Sequence, residues 1–358
     1  MVKNMNQIRI GLIGAGNIAN WHLPGIEAAE GGTLTALCDI DENRLNLAGD
    51  QYGIPENRRF TNYQELISCD DVDAVDICTP NYLHAEMAIF AAEKGKAICV
   101  EKPLCMNYKE ALSVQKAVQK AGTPFMICFS YRFIPAVRFA RWILEKGELG
   151  DVVNIYVQYL KSSAFMDGRR LEWRFEKNKA GSGVLGDLGS HLIDMTRFLV
   201  GEVKGVFSQT GIVVKKRPRL NSDSLADVET DDYCHFLAKL DCGASGTFSV
   251  SRCAIGNANS IRFEVYGTKG ALAFDLNNHD TLGVCIGDID RITEGMHTIR
   301  VPKKYKISQM QTFIDIVQGR GDELSPVLDD AVKCQRILAA LLDSHERKRW
   351  IDISNDVI

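Results

Sequence analysis

The chain lacks several features that would have narrowed its function at once. No apolar run in the 358 residues approaches the ~18 needed to cross a membrane. The first apolar stretch is short and broken by Gly11, Gly14 and Gly16, which makes a poor signal-peptide core. Positive charge is not in excess: Lys and Arg total 42 against 46 for Asp and Glu, a formal charge of -4. One basic cluster, Lys215-Lys216-Arg217-Pro218-Arg219, is short and followed by acidic residues, so it reads as a solvated loop and not as a nucleic-acid site. The 11 cysteines include no Cys-x-x-Cys pair. Cys38, Cys78, Cys99 and Cys128 lie in apolar runs, where a thiol behaves as a small hydrophobe. That pattern fits a reducing cytoplasm, without a disulfide framework or a zinc site. There is no internal repeat and no low-complexity tract.

What is present is a change of texture partway along the chain. Up to about residue 130, short continuous apolar runs alternate with helical patterns. Residues 8–13, 33–38, 74–78, 97–100 and 124–129 read as buried strands, and 44–52, 83–94 and 108–121 as helices. Such alternation implies a parallel sheet covered on both faces. After a helix at 135–146 come long alternating segments at 152–160, 203–214, 233–240, 244–252 and 261–266, the pattern of a mostly antiparallel sheet with one packed face. Helical patterns return at 307–317 and 329–347. The expected architecture is α/β: a first domain over 1–130, and an α+β domain with a large open sheet over 131–358. The last helices are expected to pack back on the first domain.

The stretch "IRIGLIGAGNIANWH" places Gly14-x-Gly16-x-x-Ala19 between a strand and a helix. Gly14 permits a tight turn, Gly16 lets backbone approach a pyrophosphate, and Ala19 allows close helix–strand packing. The phosphates would rest on the N–H groups at the helix start, around Asn17 and Ile18. Asp39 ends the second strand, 20 residues beyond Ala19, where a carboxylate binds ribose hydroxyls and repels a 2′-phosphate. The expected cofactor is therefore NAD.

Ligands of open parallel sheets bind beyond the carboxyl ends of the strands. Thr79, Asn81 and His84 follow the run at 74–78, and Glu101 and Lys102 follow the run at 97–100. His84 reads equally as a packing residue at a helix start and as a cofactor contact. Lys102 could be a snorkelling surface lysine, but Pro103 restricts its backbone, as a positioned ammonium requires. In "AGSGVLGDLGSHLIDM", Asp187, His191 and Asp194 fall at i, i+4 and i+7 of a helix. Three readings are open: a solvated polar face, a metal site lacking a third ligand nearby, and a histidine general base oriented by a carboxylate. Gly183, Gly186 and Gly189 each cost up to ~1 kcal/mol against Ala in a helix. A ligand approaching the backbone would explain that cost.

With these residues in view, the chain resembles the Gfo/Idh/MocA oxidoreductase family, which contains glucose–fructose oxidoreductase and inositol 2-dehydrogenase. The resemblance covers nearly the whole length. It rests on the Gly14/Gly16/Ala19 turn, Asp39, Thr79-Pro80-Asn81-x-x-His84, Glu101-Lys102-Pro103 and Asp187-x-Gly189-x-His191-x-x-Asp194. Ala19 in place of the third glycine, and Ser182 within what is commonly a run of three glycines, depart mildly from the pattern. The resemblance implies a Rossmann domain and a second domain often used for homo-oligomerisation; no metal is expected, since no third ligand stands near Asp187 and His191 in the sequence. It also implies that Lys102 contacts the reacting hydroxyl, that His191 is its acid/base partner, and that Asp187 binds substrate and orients the histidine. Tyr131, Arg132, Trp173 and Arg174 occupy places where this family contacts cofactor or substrate. The substrate is then a small carbohydrate, cyclitol or glycoside, oxidised at a secondary alcohol. Two alternatives stay open: glycoside cleavage through transient oxidation by tightly held NAD, and a non-catalytic nucleotide-binding regulator.

Overall fold

The computed structural model describes residues 7–293 and 295–353. They fall in two compact units: the chain up to Phe129 with Ile307–Val332, and Ser130–Lys306 with the chain from Lys333 onward. The segment Ile307–Val332, and with it the helix Gln309–Val317, thus belongs with the first unit.

The first unit is a six-stranded sheet in the order β3-β2-β1-β4-β5-β6, made of β1 (Ile8–Ile13), β2 (Gly32–Cys38), β3 (Arg59–Phe60), β4 (Ala74–Ile77), β5 (Ala97–Val100) and β6 (Phe125–Ile127). Every neighbouring pair is parallel. All four residues of β4 and of β5 are buried, as a sheet covered on both faces requires. Crossovers are made by α1 (Ala19–Ala28), α2 (Glu42–Gln51), α3 (Tyr63–Ile67), α4 (Asn81–Glu93) and α5 (Tyr108–Ala121). Local chemistry sets their ends. Asp41 accepts the Asn43 and Arg44 N–H groups, Asn107 accepts that of Glu110, and Gly122 closes α5 in the left-handed conformation. The sheet order reverses between β1 and β4, and the carboxyl ends of both strands open onto that switch point.

The second unit begins with α6 (Pro135–Glu145) and is dominated by a nine-stranded sheet in the order β16-β15-β14-β13-β7-β12-β11-β8-β17. Its strands are β7 (Val152–Leu160), β8 (Val203–Gly211), β11 (Tyr233–Leu240), β12 (Ser245–Ser251), β13 (Ser260–Gly267), β14 (Ala271–Asp275), β15 (Thr281–Cys285), β16 (His297–Arg300) and β17 (Ile351–Asp352). The β7–β12 pair is parallel and the other pairs are antiparallel. A separate hairpin pairs β9 (Lys216–Pro218) with β10 (Leu225–Asp227). Alternation is visible in β11, where Cys234, Phe236, Ala238 and Leu240 are buried between exposed residues. Phe236 stacks on Phe248 with ring centroids 4.3 Å apart. On the opposite face Phe207, Leu237 and Tyr156 stay exposed in one cross-strand row, since Leu237 faces both Phe207 and Thr247, and Thr247 faces Tyr156. The helices are α7 (Lys177–Ala180), α8 (Ser190–Leu199), α9 (Gly287–Thr293), α10 (Gln309–Val317, of the first unit) and α11 (Leu328–Arg347), which starts in the first unit and belongs to the second from Lys333. Among the described residues no helix is long and apolar enough to cross a membrane, and all 11 cysteines are free.

Candidate active site

The glycine turn separates what the fold needs from what a ligand needs. Gly14 has φ +96°, and a Cβ there would meet the Cys78 carbonyl oxygen at 2.8 Å, so the turn itself demands glycine. A Cβ on Gly16 would meet nothing within 4 Å. The fold gains nothing from glycine at Gly16, but a pyrophosphate drawn close to the backbone does. Asn17 and Ile18 are exposed beside it. Asp39 is buried, and its two oxygens accept the N–H groups of Ala15 and Asp41 at 2.8 Å each, with an Arg44 guanidinium nitrogen at 3.3 Å. This carboxylate joins the end of β2 to the glycine turn, the position of a ribose ligand in this fold. The residues present therefore fit a dinucleotide.

Beyond β4 and β5 lies a set of interlocked polar groups. Lys102 is half-buried, and its peptide bond to Pro103 is cis. Glu101 is buried; one oxygen lies 3.1 Å from His22 Nε2 and the other accepts the Lys102 N–H at 3.2 Å. Burial, the largest influence, pushes the Glu101 carboxyl up, but His22, Lys102 and His84 leave it below its ordinary value. His84 is fully buried, with Nδ1 2.8 Å from the Pro103 carbonyl and Nε2 2.7 Å from that of Thr79. His84 and Glu101 both make inward bonds that tie together the loops after β4 and β5. Thr79 is half-buried and Asn81, which opens α4, is buried. His22, Asp76 and Cys128 lie close enough together to suggest a metal ion. Both His22 nitrogens already face carboxylates, however, so this is a hydrogen-bonded set and not a ligand set.

In the second unit, Asp187 sits in a π-helical turn, Leu185–Gly189, that runs directly into α8. All ten residues of α8 are buried, which removes the solvated-face reading. The His191 ring packs against Tyr131, with centroids 4.5 Å apart, and lies 6.2 Å from Tyr159. Tyr131 and Tyr159 share a 2.7 Å hydrogen bond, and Tyr159 donates to Asn259 Oδ1 at 2.8 Å. Burial, the Tyr131 hydroxyl and the Asp187 charge all push the Tyr159 phenol up, so it stays a neutral hydroxyl. Asp194 points elsewhere: it forms a buried ion pair with Arg132, Nη2 to Oδ1 2.6 Å, and Arg132 lies over the Phe198 ring. This pairing fastens α8 to the segment that carries Arg132; removing one partner of such a pair costs ~3–5 kcal/mol. Trp173 is half-buried in a short 3-10 helix, with the Arg174 guanidinium over its ring at 4.4 Å.

The glycines also find a different reason. A Cβ on Gly183 would come within 2.1 Å of the Asp231 carbonyl oxygen. Burial, the largest influence, pushes the Asp231 carboxyl above its ordinary value, against the Leu185 and Gly183 N–H groups that it accepts at 2.8 and 2.7 Å. Gly183 thus serves close packing against the chain itself, not a ligand. Arg252 holds the same segment, bonding the neighbouring Asp232 at 2.6 Å and the Asp231 carbonyl at 2.9 Å. Sequence reasoning missed Asp231, Asp232 and Arg252, and with them His22, Asp76, Tyr159 and Asn259. The acidic pair in "ETDDY" just before a strand was a usable signal, because adjacent acids rarely enter a sheet unbonded.

A parallel sheet with a dinucleotide turn, joined to a second domain bearing a carboxylate, an imidazole and hydroxyls, defines a nucleotide-dependent oxidoreductase. The chain belongs to the Gfo/Idh/MocA family: residues 8–129 match its NAD-binding Rossmann model, and residues 137–273 match the GFO/IDH/MocA C-terminal domain. Its cofactor is NAD(H). Levoglucosan dehydrogenase of Pseudarthrobacter phenanthrenivorans is 29% identical over 386 residues, spanning 98% of this chain and 99% of the relative. A solved structure of levoglucosan dehydrogenase in complex with NADH and levoglucosan superposes with a TM-score of 0.89 at 29% identity, covering 97% of this chain and all of the other. Inositol 2-dehydrogenase of Rhizobium meliloti is 26% identical over 350 residues, 97% of this chain and 99% of the relative.

Proposed function

We propose that this protein is an NAD-dependent dehydrogenase that oxidises a secondary alcohol of a sugar, cyclitol or glycoside, and reduces the ketone in the reverse direction. The observation that carries this reading is the cluster of Asp187, His191, Tyr131 and Tyr159, a base, a carboxylate and two hydroxyls suited to a polyol. NAD, held by Gly14, Gly16, Asn17, Ile18 and Asp39 with the loops carrying Thr79 and Asn81, supplies the hydride acceptor when bound. His191 takes the hydroxyl proton as the carbinol carbon becomes a carbonyl. Asp187 accepts a hydrogen bond from a substrate hydroxyl and orients the imidazole. The Lys102 ammonium donates to the reacting oxygen and stabilises its growing negative charge. The exposed row of Phe207, Leu237 and Tyr156 supports association of copies through the open sheet.

The test is a panel of levoglucosan, inositols, free sugars and aryl glycosides, followed for both NADH and released aglycone. Lys102→Ala and His191→Ala are each expected to lower turnover at least ~100-fold, within the range of acid–base groups, while NADH still binds. No turnover and no nucleotide binding across the panel would overturn the reading. A near-normal rate in either variant would remove that residue from its role.

A further inference from the structure

The first domain holds a buried chain of charges that the proposed chemistry does not use. Asp76 on β4, His22 on α1 and Glu101 after β5 are all buried. His22 Nδ1 lies 2.8 Å from Asp76 Oδ2, and Nε2 lies 3.1 Å from Glu101 Oε1. A neutral imidazole has a single N–H and could satisfy one carboxylate, leaving its lone pair against the other. The doubly protonated ring donates to one oxygen of each and places a positive charge between the two buried carboxylates. The second Glu101 oxygen accepts the Lys102 N–H, and the Pro103 carbonyl is met by His84. Lys102 is therefore flanked on both sides by neighbours that are each tied to a buried histidine.

We propose that His22 is a positioning residue: as an imidazolium bonded to Asp76 and Glu101 it fixes the Glu101 carboxylate and, through it, the backbone that carries Lys102. This rests on the reading of Lys102 as the group that meets the substrate hydroxyl. The groups facing His22 are Asp76 and Cys78 from the end of β4, Glu101 after β5 and Cys128 after β6. Burial is the largest influence on the ring and opposes its charge, yet Asp76 and its companions raise it well above the ordinary value of 6.5. A group raised in this way lends its full stability below the ordinary value and loses it only as pH climbs through the folded-state value.

Selective 15N-histidine labelling of the full chain, with His22→Gln to assign the signal, reads the ring directly. Both ring nitrogens are expected to carry protons at pH 7 and to keep them as pH rises past the range where exposed histidines have titrated. The Lys102 Cε signal, assigned with Lys102→Ala, is expected to move in His22→Gln. With a substrate from the panel, the same variant should lose turnover ~10–100-fold, the scale of a small misplacement, with NADH affinity within about threefold of wild type. Adding Asp76→Asn to His22→Gln should recover much of that turnover, because two amides in series still donate toward Glu101. A neutral ring at pH 7, an unmoved Lys102 signal, or NADH affinity falling in step with turnover would overturn the proposal. These signals need no substrate: a charged ring and a shifted lysine, alongside full activity of Lys102→Ala, would instead sink the role given to Lys102.

Discussion

The two groups of candidate residues are built on opposite chemistry. Behind Lys102, the first domain places formal charges: Asp76, His22 and Glu101 are bonded in series and sealed from water. Around His191, the second domain places rings and hydroxyls, with Tyr131 against the imidazole and a chain through Tyr159 to Asn259 behind it. Its buried charges act further back, where Arg132 holds Asp194 and the Asp231 carboxylate holds the start of the helical segment. A charged chain in a low-dielectric interior is stiff and permits one arrangement. Neutral hydroxyls can donate or accept, and so suit a family whose members act on different polyols. Fixed charge on the cofactor domain and adaptable hydroxyls on the other domain is the contrast worth breaking.

The largest effect should come from the anchor of the adaptable half. Gly183→Ala sets a methyl within 2.1 Å of the Asp231 carbonyl oxygen, a backbone atom that a rotamer change cannot move. Overpacking of this kind typically costs ~1–3 kcal/mol, and here it would also disturb two hydrogen bonds to a buried carboxylate. Thermal and urea unfolding should show a loss of at least ~3 kcal/mol, with turnover falling alongside. A variant as stable as wild type would mean that the π-helical turn is not held from Asp231.

The first domain was the more legible of the two, for a physical reason. A strand buried on both faces appears as a mainly apolar run: β5 reads that way throughout, and β1, β2 and β4 are interrupted by only one or two polar residues each. β3 is two residues, Arg59 and Phe60, and leaves no periodicity to detect. In the second domain the long strands β7, β11 and β12 announced themselves by alternation, whereas β14, β15 and β16 are five residues or fewer and escaped. The site followed the same logic. Lys102, Asp187 and His191 lie in local motifs, but His22 and Tyr159 matter through partners 54 and 100 residues away, which no short window displays. Asp76 gave one unused hint: a carboxylate in the middle of "AVDI" must find a partner when the strand is buried.

On the charged side of the contrast, Asp39→Ala should weaken NADH binding about tenfold, the scale of one charge-assisted hydrogen bond. The carboxylate also holds the Ala15 and Asp41 N–H groups, so Asp39→Asn, which keeps an acceptor oxygen, should lose less. Titrating NADH fluorescence against both variants measures the difference. Unchanged affinity in Asp39→Ala would count against a ribose role.

The smallest effect, and the one most particular to the adaptable half, belongs to Tyr159→Phe. Tyr159 is buried, and its ring would stay in place, so packing is preserved while one oxygen is lost. That oxygen is where the chain turns: it meets the Tyr131 hydroxyl and donates to Asn259. Its removal frees the Tyr131 hydroxyl to rotate and leaves Asn259 without that donor, a loss of ~1–2 kcal/mol in hydrogen bonding. If Tyr131 is a substrate contact, KM should rise about three- to tenfold while the turnover number changes less, since the group that moves the proton remains. NADH affinity should be unaltered, because the cofactor turn lies in the other domain. A fall in turnover as deep as that of His191→Ala would show that the hydroxyl chain takes part in the proton transfer itself, and the contrast between a fixed and an adaptable half would no longer hold.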